Sequence, residues 1–154
     1  LAAFVRLNPE PVVELAADLL REWRDGRIKM YVIFQALNQR RENPLLFTEG
    51  GYVPLKTDGQ RNKNVCAFAR VKEKQELLVI VPRLWAGLGL NPGVPPLGTF
   101  WEDSRLILPE ELAGNRYYNI FTGETLTTAG GEGGKTLRLE EVFAFFPLGL
   151  LASF

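Results

Sequence analysis

Asp25-Gly26-Arg27-Ile28-Lys29 opens the stretch whose reading decides how this chain folds. It continues through Leu37-Asn38-Gln39-Arg40-Arg41-Glu42-Asn43-Pro44 and Leu46-Phe47-Thr48-Glu49-Gly50-Gly51-Tyr52-Val53-Pro54-Leu55 to Val65-Cys66-Ala67-Phe68-Ala69-Arg70. Along it the spacing of apolar residues changes period. From Arg27 to about Glu42 the pattern is helical, and it stops before Pro44, whose ring disfavours an α conformation at the residue ahead of it. Ile28, Met30, Tyr31, Val32, Ile33, Phe34, Ala36 and Leu37 point in nearly every direction around the first turns. A helix that is apolar all round is expected to be buried on more than one side. Its last turn carries Arg40 and Arg41 at the negative end of the helix dipole. Past Pro44 the runs shorten to strand length: Tyr52–Leu55, Asn64–Val71 and Glu76–Arg83, separated by turn chemistry at Asp58-Gly59 and Lys72–Gln75. Leu77-Leu78-Val79-Ile80-Val81 is apolar without a break, as expected of a central strand covered on both faces.

Upstream, Pro9-Glu10-Pro11 precedes Val12, Leu15, Ala16, Leu19, Leu20 and Trp23, an amphipathic helix with Asn8 placed to cap it and Asp25-Gly26 to end it. Downstream, residues 86–98 are rich in glycine and proline and read as an irregular loop. Strand patterns resume at Ser104–Leu108, Arg116–Phe121, Glu124–Thr127, Thr136–Leu139 and Pro147–Ala152. Many short strands with no long helices between them predict an antiparallel sandwich. The fold class expected is α+β, mainly β, with two N-terminal helices followed by an antiparallel β-sandwich. The break falls near 43–48, dividing the chain into a helical segment 1–47 and a β-domain 48–154.

A chain of 154 residues suits one domain, or one domain with an appended element. With 46% apolar and 23% charged residues a packed core is expected. Lys plus Arg and Asp plus Glu both number 18, so no basic excess exists to neutralise phosphates, and nucleic acid is not an expected partner. No apolar run approaches the ~18 residues that read as a membrane span, so no membrane association is expected. The chain begins at Leu1 rather than Met, as a fragment or processed form would. Its single Cys66 excludes an internal disulfide, fits a reducing, cytoplasmic setting, and is expected to be a buried structural thiol in a strand. There is no histidine, which removes Ser-His and Cys-His nucleophilic chemistry and the usual zinc sites. Neither a metal nor a cofactor is expected.

Ala129-Gly130-Gly131-Glu132-Gly133-Gly134-Lys135-Thr136 has the outline of a phosphate-binding loop, but that loop needs a strand before it and a helix after it. Here Thr136-Leu137-Arg138-Leu139 alternates like a strand, so a hairpin is expected. The acid pairs Glu102-Asp103, Glu110-Glu111 and Glu140-Glu141 are adjacent in sequence. Retaining glycosyl transfer needs two carboxylates about 5 Å apart across a sugar, and neighbours on a strand face opposite ways. No catalytic residue is therefore assigned. Trp85 and Trp101 border the Gly/Pro loop and are the aromatic rings best placed to reach a surface ligand. Asp25-Gly26-Arg27-Ile28-Lys29 reads first as a C-cap turn with Gly26 left-handed. Asp25, Arg27 and Lys29 remain candidates for substrate or interdomain contact.

The stretch from Asp25 to Arg70 resembles the seam between the last barrel helix and the C-terminal β-domain of the α-amylase family. Asp25-Gly26-Arg27-Ile28-Lys29 narrows the resemblance to maltooligosyltrehalose synthase. Further pieces follow in the same order: Val81-Pro82-Arg83-Leu84; Trp101-Glu102-Asp103-Ser104 with Leu106-Ile107-Leu108-Pro109; Asn119-Ile120-Phe121-Thr122-Gly123-Glu124; Leu139-Glu140-Glu141-Val142-Phe143; and Phe146-Pro147-Leu148-Gly149-Leu150-Leu151. Together they cover most of the chain from about residue 21 onward. The resemblance implies a parent enzyme that isomerises the reducing-end α-1,4 bond of a maltodextrin into an α,α-1,1 trehalose bond, with its catalytic carboxylates on barrel strands outside this sequence. It also implies that 27–43 is the remnant of the last barrel helix. The expected partners are the parent's catalytic barrel and, in the parent, a maltooligosaccharide; without the barrel, helix 27–43 is expected to self-associate. The chain by itself is then expected to be inactive. Two other readings are a carbohydrate-binding β-sandwich module and the C-terminal domain of another amylase-family glucanotransferase or debranching enzyme. A free-standing enzyme comes last.

Overall fold

The structure is a computed structural model that describes residues 12–84, 87–91, 93–131 and 134–153. Helix α1 spans Val12–Arg21 and α2 spans Arg27–Glu42, joined by a single 3-10 turn over Trp23–Asp25. Gly26 ends that turn at φ 81°, the left-handed conformation that glycine adopts without a Cβ clash. The cap residues expected at 8–11 lie outside the described residues. A third helix, α3 over Pro44–Thr48, follows at once with proline in its first turn, where the missing N–H costs nothing.

Among the described residues ten strands follow: β1 Gly51–Pro54, β2 Lys56–Asp58, β3 Val65–Lys72, β4 Gln75–Pro82, β5 Arg105–Leu108, β6 Arg116–Asn119, β7 Thr125–Thr127, β8 Ala129–Gly131, β9 Gly134–Arg138 and β10 Gly149–Ser153, with a one-turn helix α4 at Leu139–Val142. They form two antiparallel sheets. One has six strands in the order β1-β3-β4-β10-β6-β7, the other four in the order β2-β5-β9-β8. The chain is thus an α+β domain, mainly β. Among the described residues no helix is long and apolar enough to cross a membrane.

Strand β4 explains how the layers stack. It lies between β3 and β10, with Ala69 opposite Leu78 and Leu151 opposite Leu78 on the other side. Its even-numbered residues Leu78 and Ile80 join Leu106, Leu108 and Leu137 of the smaller sheet, with Trp101 and Phe143, in one core. Its odd-numbered residues Leu77 and Val79 join Ala16 and Leu19 of α1, Tyr31 of α2 and Phe146 in another. Leu77 to Ile80 of the apolar run are therefore covered on both faces, as the sequence predicts, while its last residue, Val81, is exposed.

Tyr31 fixes α2 to this sheet. It is fully buried, donates its hydroxyl to the Phe121 carbonyl at 2.9 Å, and packs edge-on against Phe146 with ring centroids 6.0 Å apart. The far side of α2 has no such cover: Met30, Ile33 and Leu37 are 54%, 46% and 58% exposed. Cys66 departs from expectation. It is exposed, because it lies on the helix-side face of β3 opposite Val81, itself exposed, where the sheet runs on beyond its helical cover.

Candidate functional site

The junction of α1 and α2 gathers three of the candidate residues. Arg27 donates its backbone N–H to Asp25 Oδ1 at 2.8 Å and its Nε to Asp25 Oδ2 at 2.5 Å. The backbone bond and then the guanidinium hold the Asp25 carboxyl below its usual range, and the same carboxylate raises Arg27. Both side chains are thus engaged with each other across an exposed turn. Lys29, also exposed, stands at the rim of a groove of about 360 Å³ whose lining includes Ile28, Val32, Ile33, Pro96, Pro147 and Leu148. A neighbouring groove of about 330 Å³ lies between Leu20, Trp23, Ile28, Gly93, Pro95 and Pro147. The two share Ile28 and Pro147, so an apolar channel follows the helix junction under the Gly/Pro loop. Such a channel suits an apolar side chain; it supplies almost nothing to hydrogen-bond a sugar hydroxyl.

Trp101 is not part of that surface. Its exposure is 0%, its indole N–H donates to the Pro96 carbonyl at 2.8 Å, and its ring lies 4.8 Å from that of Phe143. The residue ends a 3-10 turn, Gly98–Trp101, that folds the ring inward, so bordering a Gly/Pro loop placed it in the core and not in solvent. Trp85 lies outside the described residues.

The glycine-rich segment is a hairpin, with β8 and β9 paired antiparallel and Ala129 opposite Thr136. Lys135, which a phosphate loop would aim at its anion, donates instead to the Leu112 carbonyl at 2.6 Å and the Gly114 carbonyl at 3.0 Å. The acid pairs are engaged locally as well. Glu102 pairs with Arg61 at 3.2 Å, Asp103 accepts the Gln60 N–H at 3.0 Å, Glu140 pairs with Arg138 at 2.8 Å, and Glu110 and Glu111 occupy an exposed turn.

One acid escaped the sequence reading altogether. Glu76, in β4, is 2% exposed and accepts hydrogen bonds from Ala113 N–H at 2.6 Å, Gly114 N–H at 3.2 Å and the Tyr117 hydroxyl at 2.5 Å. Nothing in a Glu at the start of a strand pattern marks it as buried; the only signal is that it immediately precedes a fully covered run. Burial first, and then the hydrogen bond to Glu76, push the Tyr117 hydroxyl far above the ordinary value of 10.0; burial also raises Tyr31. Both folded-state values exceed the unfolded ones, so the stabilisation is complete below pH ~10 and is lost as pH rises, because the unfolded chain then releases protons first. The thermal midpoint is expected to fall steeply between about pH 10 and 11, and less steeply in Tyr117→Phe. A slope unchanged in that variant would remove Tyr117 from the account.

The fold, a mainly β, α+β domain, is found in part of a larger solved protein. The chain is similar in structure to maltooligosyltrehalose synthase from Arthrobacter ramosus, with a TM-score of 0.54 and 23% sequence identity over 89% of this chain and 16% of that one. A single-substitution mutant of that enzyme gives 0.55 and 24% over the same shares. The chain therefore spans about one sixth, 16%, of the solved enzyme's length. No family model matches the chain, and no curated protein matches it at significant similarity.

Proposed function

We propose that this chain is the C-terminal structural domain of a maltooligosyltrehalose synthase, an enzyme that turns the reducing-end α-1,4 bond of a maltodextrin into an α,α-1,1 trehalose bond. The observation that carries the reading is the apolar outer face of α2, with Met30, Ile33 and Leu37 exposed on the helix that closes one side of the domain. Exposed apolar faces of this kind mark a surface that meets another protein element. In this reading that element is the catalytic barrel, with residues 1–47 the end of the barrel and 48–154 the β-domain. The domain contributes no catalytic carboxylate; Asp25, Arg27 and Lys29, at the foot of α2, would meet the barrel or the glucan it holds. The setting is a reducing cytoplasm, where the exposed Cys66 stays a thiol.

The test is to incubate the chain with maltopentaose, assay for a non-reducing trehalose-ended product, and follow heat of binding on the same sample. Neither product nor heat is expected. In parallel, the chain is expected to self-associate through α2, and Ile33→Glu with Leu37→Glu to shift it towards monomer in light scattering. Saturable heat without product would replace this reading with a carbohydrate-binding module. Product formed by the chain alone would overturn it.

A further inference from the structure

The segment Pro109–Asn115 carries the chain from β5 in the smaller sheet to β6 in the larger one. Leu112, at its middle, is fully buried in the core between them. Two charged side chains hold this crossing. Glu76 of β4 accepts the Ala113 N–H at 2.6 Å, while Lys135 of β9 donates to the Leu112 carbonyl at 2.6 Å. The Leu112 carbonyl and the Ala113 N–H are the two ends of one peptide group. In a trans peptide they point in opposite directions, and the group's dipole runs from the carbonyl to the N–H. The carboxylate sits at the positive end of that dipole and the ammonium at the negative end, one from each sheet. No direct ion pair joins them.

We infer that Glu76 and Lys135 form an ion pair mediated by the Leu112–Ala113 peptide, a tie that fastens the two sheets to each other through the crossing segment. A buried carboxylate is costly unless its lone pairs are taken up, and the rest of the site is built around that need. Gly114 N–H and the Tyr117 hydroxyl complete the shell of Glu76, and the Gly114 carbonyl takes a second bond from Lys135 at 3.0 Å. A Cβ at position 114 would stand 2.8 Å from Glu76 Oε2, 2.8 Å from the Tyr117 hydroxyl and 2.9 Å from Ser153 Oγ, so any larger residue there would have to push these groups out of place. Ser153 is the residue opposite Glu76 in the β4–β10 register. Hydrogen bonds in series polarise one another, so each charge strengthens the bond that the other makes to the same peptide.

The tie is tested by a double-mutant cycle in the whole chain, with Glu76→Gln, Lys135→Met and both together, read by urea unfolding. Each single change is expected to lower the folding equilibrium constant about 10- to 100-fold. The double change is expected to fall short of the product of the two by roughly several-fold to tenfold, the mark of a shared interaction. A double effect equal to the product would overturn the inference. The Ala113 amide proton supplies a second reading: it should move upfield in Lys135→Met and stay near its native position in Lys135→Arg, although Lys135 touches only carbonyl oxygens. If Glu76→Gln does not fold, that comparison decides alone, and an Ala113 proton unmoved in Lys135→Met refutes the tie.

Discussion

Replacing Trp101 with alanine is expected to cost about 3–5 kcal/mol, the upper range for removing a large aromatic ring from a core. The ring is fully buried, faces Phe143 at 4.8 Å and meets Phe100 edge-on at 5.5 Å. Its loss also strands the Pro96 carbonyl, which then keeps no donor at the point where the Gly/Pro loop enters the core. Urea unfolding followed by far-ultraviolet circular dichroism measures the change. A loss below about 1 kcal/mol, the size of an ordinary surface change, would mean that the ring is not in the core. Trp101→Phe should recover part of the loss, since it restores area but not the indole N–H.

The second large effect is expected at Tyr31. Tyr31→Ala removes a side chain buried among Phe121 and Phe146 and should cost about 3–5 kcal/mol. Its consequence differs in kind. Tyr31 belongs to the cluster that binds α1 and α2 to the outer face of the six-stranded sheet, whereas the core between the sheets does not include it. The variant should therefore lose helical signal at a lower denaturant concentration than the sheets lose theirs, giving two transitions where the native chain gives one. Tyr31→Phe, which keeps the ring and forfeits the hydroxyl with its bond to the Phe121 carbonyl, should cost about 1 kcal/mol and keep a single transition. Coincident transitions in Tyr31→Ala would show that the helices and sheets form one cooperative unit.

Much of the architecture was legible because it rests on local chemistry. The bounds of α2 follow from Gly26 before it and Asn43-Pro44 after it, and the double burial of β4 over Leu77–Ile80 follows from its consecutive apolar residues. Short elements were not legible. Helix α3 is five residues long, and β2 and β8 are three each, too brief for any period to emerge. Trp101 and Cys66 were misjudged in opposite directions. A ring beside a flexible loop proved to be core, and a thiol inside an apolar strand proved to be exposed, because exposure depends on which layer lies over a face, and that is a tertiary fact. At the helix junction the left-handed Gly26 was readable from its place between two helices, whereas the Asp25–Arg27 pair was not. Glu76 was not, since a glutamate at a strand end usually meets water.

The two-sided burial of β4 leaves a problem that its apolar residues cannot solve. Slide the strand by one place and Leu77 and Val79 exchange sides with Leu78 and Ile80, yet both clusters still receive aliphatic side chains of similar size. Alternation pins register only where one face is polar, and here neither is. Glu76 supplies the missing information. Displaced by one position into the place of Leu77, its carboxylate would turn towards the helix side of the sheet, where Leu77 borders Val32, Ala36 and Phe47, far from the N–H groups and hydroxyl that receive it. The least hydrophobic residue of the strand thus acts as its address label, making one alignment tolerable and its nearest neighbours prohibitive.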